Sequence, residues 1–191
     1  IPKQRLWYIR AKEVIISSGS IERPLVFGNN DTPGVMLSSA AKEYLKIYGV
    51  LVGKKPLVFT NNDSGYETAI EFKKNGIDPI ILDTRKDPNS EIIQEAKDLN
   101  INIKTSYVVV AAKGYKKVNS ADIAKLSDDK KNVSNIENIK CDCICVSGFW
   151  TPTIHLASQS GNKTKFNEEI DAFIPSKSKQ KETTLGSANG I

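Results

Sequence analysis

The residues with the clearest chemical potential follow a short apolar segment near the middle of the chain. Leu57, Val58 and Phe59 predict a buried strand, and a polar turn and a helical segment come next. The candidate residues of this turn are Thr60, Asn61, Asn62, Asp63, Ser64 and Gly65. A dinucleotide site needs such a turn, because the backbone must approach the pyrophosphate while a helix N-terminus is directed at the phosphates.

Glycines normally occupy three positions of this turn, in the spacing G-x-G-x-x-G. Here the three positions are Thr60, Asn62 and Gly65, so only the glycine that allows close helix packing is present. Asn62 is able to make the turn, because asparagine tolerates left-handed backbone angles better than most residues. The motif by itself is therefore weak evidence for a nucleotide.

A second signal strengthens it, since Asp83 lies eighteen residues after Gly65, at the end of the next predicted strand. An acid at this place accepts hydrogen bonds from the adenosine ribose hydroxyls. We assign Asp83, Thr84 and Arg85 to the site. Arg85 is alternatively placed to meet a 2′-phosphate, so NAD is favoured over NADP without NADP being excluded.

The surrounding periodicity predicts the elements that position these residues. Ser64 with Glu67 fits a capping box, a helical stripe follows, and Gly76 is a helix stop. Strands at 77–82 and 101–104 with a helix over 92–99 give the order β-α-β-α-β, which predicts a parallel sheet. Short strands at 107–111 and 116–123 indicate an antiparallel hairpin crossover, 127–135 is a loop, and 143–147 returns as an apolar strand. The predicted fold class is α/β, a Rossmann-like three-layer domain.

Composition describes an ordinary globular protein of 191 residues, with 39% hydrophobic and 26% charged residues. No apolar run approaches the ~18 residues of a membrane span, so we expect no membrane association and a cytoplasmic location. The net charge is +5, but the basic residues are scattered along the chain, which argues against nucleic-acid binding.

The remaining reactive residues are few. Cys141, Cys143 and Cys145 alternate along a predicted strand, so we expect all three as buried thiols on one face, without a metal. His155 is the only histidine, and no nucleophile motif accompanies it. We assign it a structural or interface role, and we assign no catalytic residue in this chain.

Two segments on either side of the β-α-β-α-β unit resemble a flavoprotein signature. Residues 14–20, followed by Pro24, resemble the strand-A-T-G-x-x-P element that precedes an NAD domain. Asp142, the strand at 143–147, Gly148 and Pro152 resemble its companion after that domain. In two-dinucleotide flavoproteins such segments cross between an FAD domain and an inserted NAD domain, which implies FAD contacts for Ser18 and Gly19.

The amino-acid sequences of four segments indicate a more specific resemblance. I-E-R-P-L-V-F after Ser20, N-D-T-P-G-V-M-L at 30–37, T-N-N-D-S at 60–64 and W-T-P-T-I-H-L at 150–156 closely resemble the alpha subunit of heterotetrameric sarcosine oxidase. The resemblance extends over essentially the whole chain. Departures are Ser18, where threonine is usual, and Phe149, where the pattern has glycine.

The resemblance implies a middle fragment of an enzyme that converts sarcosine, oxygen and water to glycine, formaldehyde and hydrogen peroxide, with one-carbon transfer to tetrahydrofolate. It implies partial FAD-domain segments at 1–49 and 148–191, an inserted NAD-binding domain at 50–147, and beta, gamma and delta subunits as partners. NAD and FAD are the implied cofactors, FAD being shared with parts of the parent outside this chain, and the fragment is expected to be inactive alone. The alternatives are a non-catalytic nucleotide-binding or scaffold module with a vestigial site, or part of a related amine or opine dehydrogenase.

Overall fold

The computed structural model describes residues 3–190 of the chain. A short 3₁₀ helix, Gly186–Asn189, ends the described part. The strands and helices in chain order are β1 (Val14–Ile16), β2 (Ser20–Glu22), β3 (Val35–Leu37), α1 (Ser38–Tyr48), β4 (Pro56–Thr60), α2 (Ser64–Lys74), β5 (Ile80–Asp83), α3 (Glu91–Asp98), β6 (Asn102–Thr105), β7 (Tyr107–Lys113), β8 (Ser120–Leu126), β9 (Val133–Ile139), β10 (Cys143–Ser147), β11 (Trp150–Pro152), α4 (His155–Gln159), β12 (Thr164–Asn167), β13 (Ala172–Pro175) and β14 (Glu182–Thr184).

The larger of two compact units is Glu22–Phe149, and its centre is a five-stranded sheet in the order β3-β10-β4-β5-β6. All four strand pairs are parallel, as the β-α-β-α-β pattern predicts. From β4 the chain proceeds outward to β5 and β6, and it then returns to pair β10 with the other side of β4. The strand order therefore reverses between β4 and β10, which is where ligands bind in open sheets of this type.

Alternation along β4 divides the core into two clusters. Val58 packs with α1, α2 and α3 on one face of the sheet, where Tyr66, Phe72 and Ile93 are buried. Leu57 and Phe59 face the other way and pack against a three-stranded antiparallel sheet, β7-β8-β9. Helices, parallel sheet and antiparallel sheet make three layers, so the Rossmann-like three-layer prediction is confirmed.

The antiparallel layer is larger than the predicted hairpin. Strand β9 lies inside the segment predicted as a loop and beyond it, and it pairs with β8 from Ala121↔Ile139 to Leu126↔Val133. All residues of β9 except Ile139 are exposed, so the strand has no apolar alternation that would reveal it in the sequence. Only its backbone pairing with β8 defines it.

The cysteine prediction is correct in burial and partly wrong in geometry. Cys143 and Cys145 share one side of β10, with their Sγ atoms 3.6 Å apart in the helix-facing core. Cys141 precedes β10 and lies in the other core cluster. All three are buried free thiols.

The smaller unit consists of the segments before Glu22 and after Phe149. It contains the parallel pair β1–β14, the antiparallel pair β12–β13, and α4, where His155 is exposed at the first position. The chain is thus divided at residues 22 and 149, whereas the sequence suggested divisions at 50 and 147. The difference at the first division arises because β3 pairs with β10 and α1 packs in the larger unit's core.

Within residues 3–190, no helix combines the length and apolar character that crossing a bilayer requires.

Candidate functional site

The predicted turn lies at the carboxyl edge of the parallel sheet, beside the ends of the two neighbouring strands. Register places Thr60 beside Asp83 on one side and beside Ser147 on the other. The last residues of three strands, two of them predicted site residues (Thr60 and Asp83) and one not (Ser147), therefore form one row across the point where strand order reverses.

Thr60 shapes the turn with its side chain, where a glycine motif would use the backbone alone. Its Oγ1 accepts the N–H of Asn62 at 3.1 Å and donates to the Asn62 carbonyl at 2.8 Å. A Cβ on Gly65 would lie 2.6 Å from the Thr60 Cβ, far inside van der Waals contact. Gly65 therefore has the packing role that the motif assigned to its third glycine.

Asn62 connects the two strands that flank the reversal point. Its Oδ1 accepts the Ser64 N–H at 2.9 Å, and its Nδ2 donates to the Ser147 carbonyl at 3.3 Å and to Asn61 Oδ1 at 3.0 Å. Asn61 donates its own N–H to the same Ser147 carbonyl at 3.3 Å. The first N–H of α2 is thus occupied by the chain's own amide.

The capping-box prediction is wrong. Helix α2 begins at Ser64, which makes Asp63 the N-cap, and no side-chain cap bond forms there. Glu67 instead forms an ion pair with Lys42 of α1 at 2.5 Å. The physical reason is that the Asn62 side chain accepts the Ser64 N–H, so the residue that bonds the start of α2 lies before Ser64, and Ser64 itself is the first residue of the helix.

Asp83 stands at the predicted strand end, but its carboxylate is fully buried. Oδ1 accepts the Arg85 backbone N–H at 2.9 Å and the Arg85 Nε at 3.1 Å. Oδ2 accepts the Tyr66 hydroxyl and the Arg85 Nη2, each at 2.8 Å. A carboxylate offers about four lone-pair sites, so this one is saturated by its own chain.

Arg85 joins this buried acid to the turn, because its Nη1 also lies 2.8 Å from Asp63 Oδ1. Burial lowers the pKa of Arg85, but hydrogen bonds to Asp83 and Asp63 raise it further, so the net pKa lies above its ordinary value. Burial, then the charge and hydrogen bond of Asp83, raise the pKa of Tyr66. Tyr66 was not predicted as a site residue; the signal in the sequence that could have indicated it is a phenol in the first helical turn, followed by an acid at the end of the next strand.

Other predicted residues have structural partners. The Thr84 N–H donates to the Thr60 carbonyl at 3.0 Å, and the Gly148 N–H donates to the Arg23 carbonyl at 2.7 Å. A Cβ on Gly148 would lie 2.9 Å from that same carbonyl. In the smaller unit, Ser18 Oγ donates to the Thr153 carbonyl at 2.7 Å, and Gly19 has a φ of +74°.

Phe149, the departure from glycine, has a φ of +60°. This left-handed conformation costs a non-glycine residue about 1–2 kcal/mol, which gives a physical reason for glycine at this place in the family pattern. The Phe149 ring lies 5.9 Å below the Arg23 guanidinium, and this contact adds packing that glycine cannot provide.

A dinucleotide fits this edge only in part. The tight turn, the close approach at Gly65 and the start of α2 are at the reversal point, where a pyrophosphate binds in such folds. Asp83 does not fit its predicted role, because a ribose would have to displace Arg85 from it. Leaving a buried carboxylate without its partner costs about 3–5 kcal/mol, while a hydrogen bond to a charged group returns only about 1.5–3 kcal/mol.

Comparison with curated proteins gives matches along the whole chain. Sarcosine oxidase subunit alpha of Corynebacterium sp. (strain U-96) is 32% identical over 193 residues, covering 100% of this chain and 20% of that protein. The chain resembles an internal segment of the sarcosine oxidase alpha subunit. The alpha subunit of Rhizobium meliloti (strain 1021) is 35% identical over 175 residues, covering 91% of this chain and 16% of that protein. The chain thus spans about a fifth of the alpha subunits it matches. A comparison with protein-family models gives no match.

Solved structures agree on the fold that the alpha-subunit likeness implies. Thioredoxin reductase of T. acidophilum superposes with a TM-score of 0.69 at 18% identity, covering 94% of this chain and 58% of that chain. L-proline dehydrogenase of P. horikoshii superposes with a TM-score of 0.60 at 22% identity, covering 93% of this chain and 30% of that chain. At these identities the likeness concerns the fold alone.

Proposed function

We propose that this chain is part of a flavin-dependent oxidoreductase of the sarcosine oxidase type, and that Glu22–Phe149 binds NAD. The observation that supports the proposal is the strand-turn-helix at the reversal point, in a chain that matches sarcosine oxidase alpha subunits throughout. The parent converts sarcosine, oxygen and water to glycine, formaldehyde and hydrogen peroxide, with one-carbon transfer to tetrahydrofolate. Its beta, gamma and delta subunits are the proposed partners, and the cytoplasm is the proposed location.

In this proposal NAD binds at the carboxyl edge of the sheet. Thr60, Asn61 and Asn62 form the turn below the pyrophosphate, and Gly65 lets α2 start close to it. FAD belongs to the parent as a whole, and Ser18 and Gly19 are the residues of this chain proposed to contact it.

A second candidate is a nucleotide-type module whose site is vestigial. The observations that favour it are that Asn62 already occupies the Ser64 N–H and that Asp83 is saturated. It predicts an intact fold without nucleotide affinity.

Calorimetric titration of NAD and NADP into the purified chain distinguishes the two candidates. We expect NAD to bind, and NADP to bind roughly tenfold more weakly, because the acids Asp63 and Asp83 outnumber Arg85 at this edge. Absence of binding by either nucleotide at millimolar concentration would favour the vestigial module.

A pair of matched variants locates the binding. Asn62→Asp places a negative charge at the proposed pyrophosphate position, and we expect it to weaken NAD by at least roughly tenfold. Asn75→Asp makes the same change just beyond the other end of α2 and should leave the affinity unchanged. Equal effects of the two variants would place NAD elsewhere.

A further inference from the structure

A cavity of about 550 Å³ lies at the amino edge of the parallel sheet. Its lining includes the segments that lead into β4, β5, β6 and β10, whose first residues lie near one another in the registers Cys143↔Pro56 and Ile80↔Asn102. Four steps of about 3.3 Å separate the two ends of β4, so the cavity lies roughly 13 Å from the turn at Thr60. Ligands of open parallel sheets bind at the carboxyl edge. The nucleotide site therefore does not account for this cavity.

The floor of the cavity is apolar. Leu57, Pro79, Ile101 and Cys141 line it and are buried, and Ile77 lines it and is partly buried. Cavities of about 300–1,000 Å³ with mostly apolar walls are usual for sites that enclose small molecules. The floor is therefore suited to the apolar body of a small ligand.

The rim of the cavity is basic. Lys54 and Lys55 precede β4, Lys140 precedes β10, and Lys73 lies in the last turn of α2. Lys54, Lys55 and Lys140 are exposed and form no ion pair with any residue of the described part, 3–190. The backbone N–H groups of Lys54 and Lys55 donate to the Asp142 carboxylate at 2.9 and 2.8 Å, which fixes the segment that carries these two lysines.

Negative charges at this edge offset the lysines only in part. Among the described residues, Asp78 is the one acid in the lining; its Oδ1 lies 2.5 Å from Lys73 Nζ, and 84% of its side chain is exposed. Such an exposed ion pair is weak, so Lys73 can exchange Asp78 for a ligand. Helices α2 and α3 end at this edge, and each helix end contributes about half a negative charge. Four ammonium groups against Asp78, Asp142 and the two helix ends leave a net charge of about +1, which favours an anion.

We propose that this cavity binds a small organic anion, with its apolar body on the floor and its carboxylate or phosphate groups at the lysines. An ammonium group offers three N–H donors and contacts either kind of anionic group. The apolar floor favours a small molecule over an acidic segment of another protein, which would contact the rim without filling the cavity. The site lies in Glu22–Phe149 and does not depend on the binding of NAD.

Calorimetric titration of the purified chain tests the proposal with ligands that separate charge from apolar body. Naphthalene-2,6-dicarboxylate and 1-naphthyl phosphate have both features, succinate has the charge alone, and 2,6-naphthalenedimethanol has the body alone. We expect an aromatic anion to bind at about 1 mM or below, and both single-feature ligands to bind at least roughly tenfold more weakly. Absence of binding by both aromatic anions at about 1 mM, or equal affinity for succinate, would overturn the proposal. Tighter binding of a hexa-aspartate peptide would also overturn it and make this edge a protein contact.

Matched variants locate the bound anion. Lys54→Gln and Lys140→Gln each remove an exposed charge from the rim, and we expect each to weaken the aromatic anion about threefold and the double variant about tenfold. Lys125→Gln removes a lysine of β8 that is equally exposed and has no ion pair among residues 3–190, and its affinity should not change. Unchanged affinity in the double variant, or an equal loss in Lys125→Gln, would place the anion elsewhere and overturn the assignment.

Discussion

At the sheet edge, the residue types of single side chains do not determine which groups they bond. An acid at the end of the second strand of a nucleotide fold is normally a ribose ligand, and the sequence supported that role for Asp83. In the structure, Arg85 two residues later is close enough to saturate it. Asn62 shows the same principle, because its amide satisfies an N–H that a glycine would have left for a phosphate.

The pKa of the Cys141 thiol affects the stability of the fold in a way that can be measured. Burial, followed by the neighbouring Cys143 and Asp142, raises the pKa of Cys141 from 9.0 to about 12. The proton is bound more tightly in the folded state, so the stabilisation is complete below pH 9 and is lost as the pH rises towards 12.

We therefore expect the free energy of unfolding to fall between pH 8 and pH 10.5, and to fall by about 2 kcal/mol less in Cys141→Ala, at 1.36 kcal/mol per pKa unit. Urea unfolding at the two pH values measures this. Val118→Ala, a truncation in the same core cluster without a titrating group, is the control and should keep the full pH dependence. An identical pH dependence in Cys141→Ala would show that Cys141 keeps an ordinary pKa.

At the scale of elements, the helix α2 depends on the absence of a side chain at its second residue. Gly65 faces Thr60 so closely that only glycine allows the helix to start there. The strand-turn-helix was predictable because periodicity and length mark it strongly. Strand β9 was not, since an exposed edge strand is defined by its partner.

We expect Gly65→Ala to lower the free energy of unfolding by about 1–3 kcal/mol, the usual cost of overpacking, and to weaken NAD binding. Gly76→Ala, at the other end of α2, meets open space and suffers only the cost of a φ of +78°, about 1 kcal/mol. Its NAD affinity should not change. Thermal unfolding and calorimetry of both variants test this, and a stable Gly65→Ala chain with full affinity would contradict the close-packed turn.

At the scale of the whole molecule, both core clusters lie within Glu22–Phe149. The chain spans only about a fifth of the alpha subunits it matches, and we propose that an activity of those proteins draws on residues outside it. Within the described residues, His155 is exposed on a short helix of the smaller unit.

We accordingly expect the isolated chain to release no peroxide from sarcosine in the presence of FAD, beyond a control with FAD alone. The measurement is a coupled peroxide assay, and heat-unfolded chain serves as a second control. Turnover above both controls would show that the reacting groups are contained in this fragment.

The sequence by itself determined the parallel α/β unit, its order of elements and the place of the turn, because hydrophobic periodicity and glycine positions are local properties. It also determined the likeness to sarcosine oxidase alpha subunits. Only the tertiary structure decided that β3 and α1 join the larger unit and that Cys141 lies apart from Cys143 and Cys145. It also decided that the hydrogen-bonding sites of the Asp83 carboxylate are occupied by Tyr66 and Arg85. These outcomes depend on which side chains of different elements come within hydrogen-bonding or packing distance, and no pattern along a single segment records that.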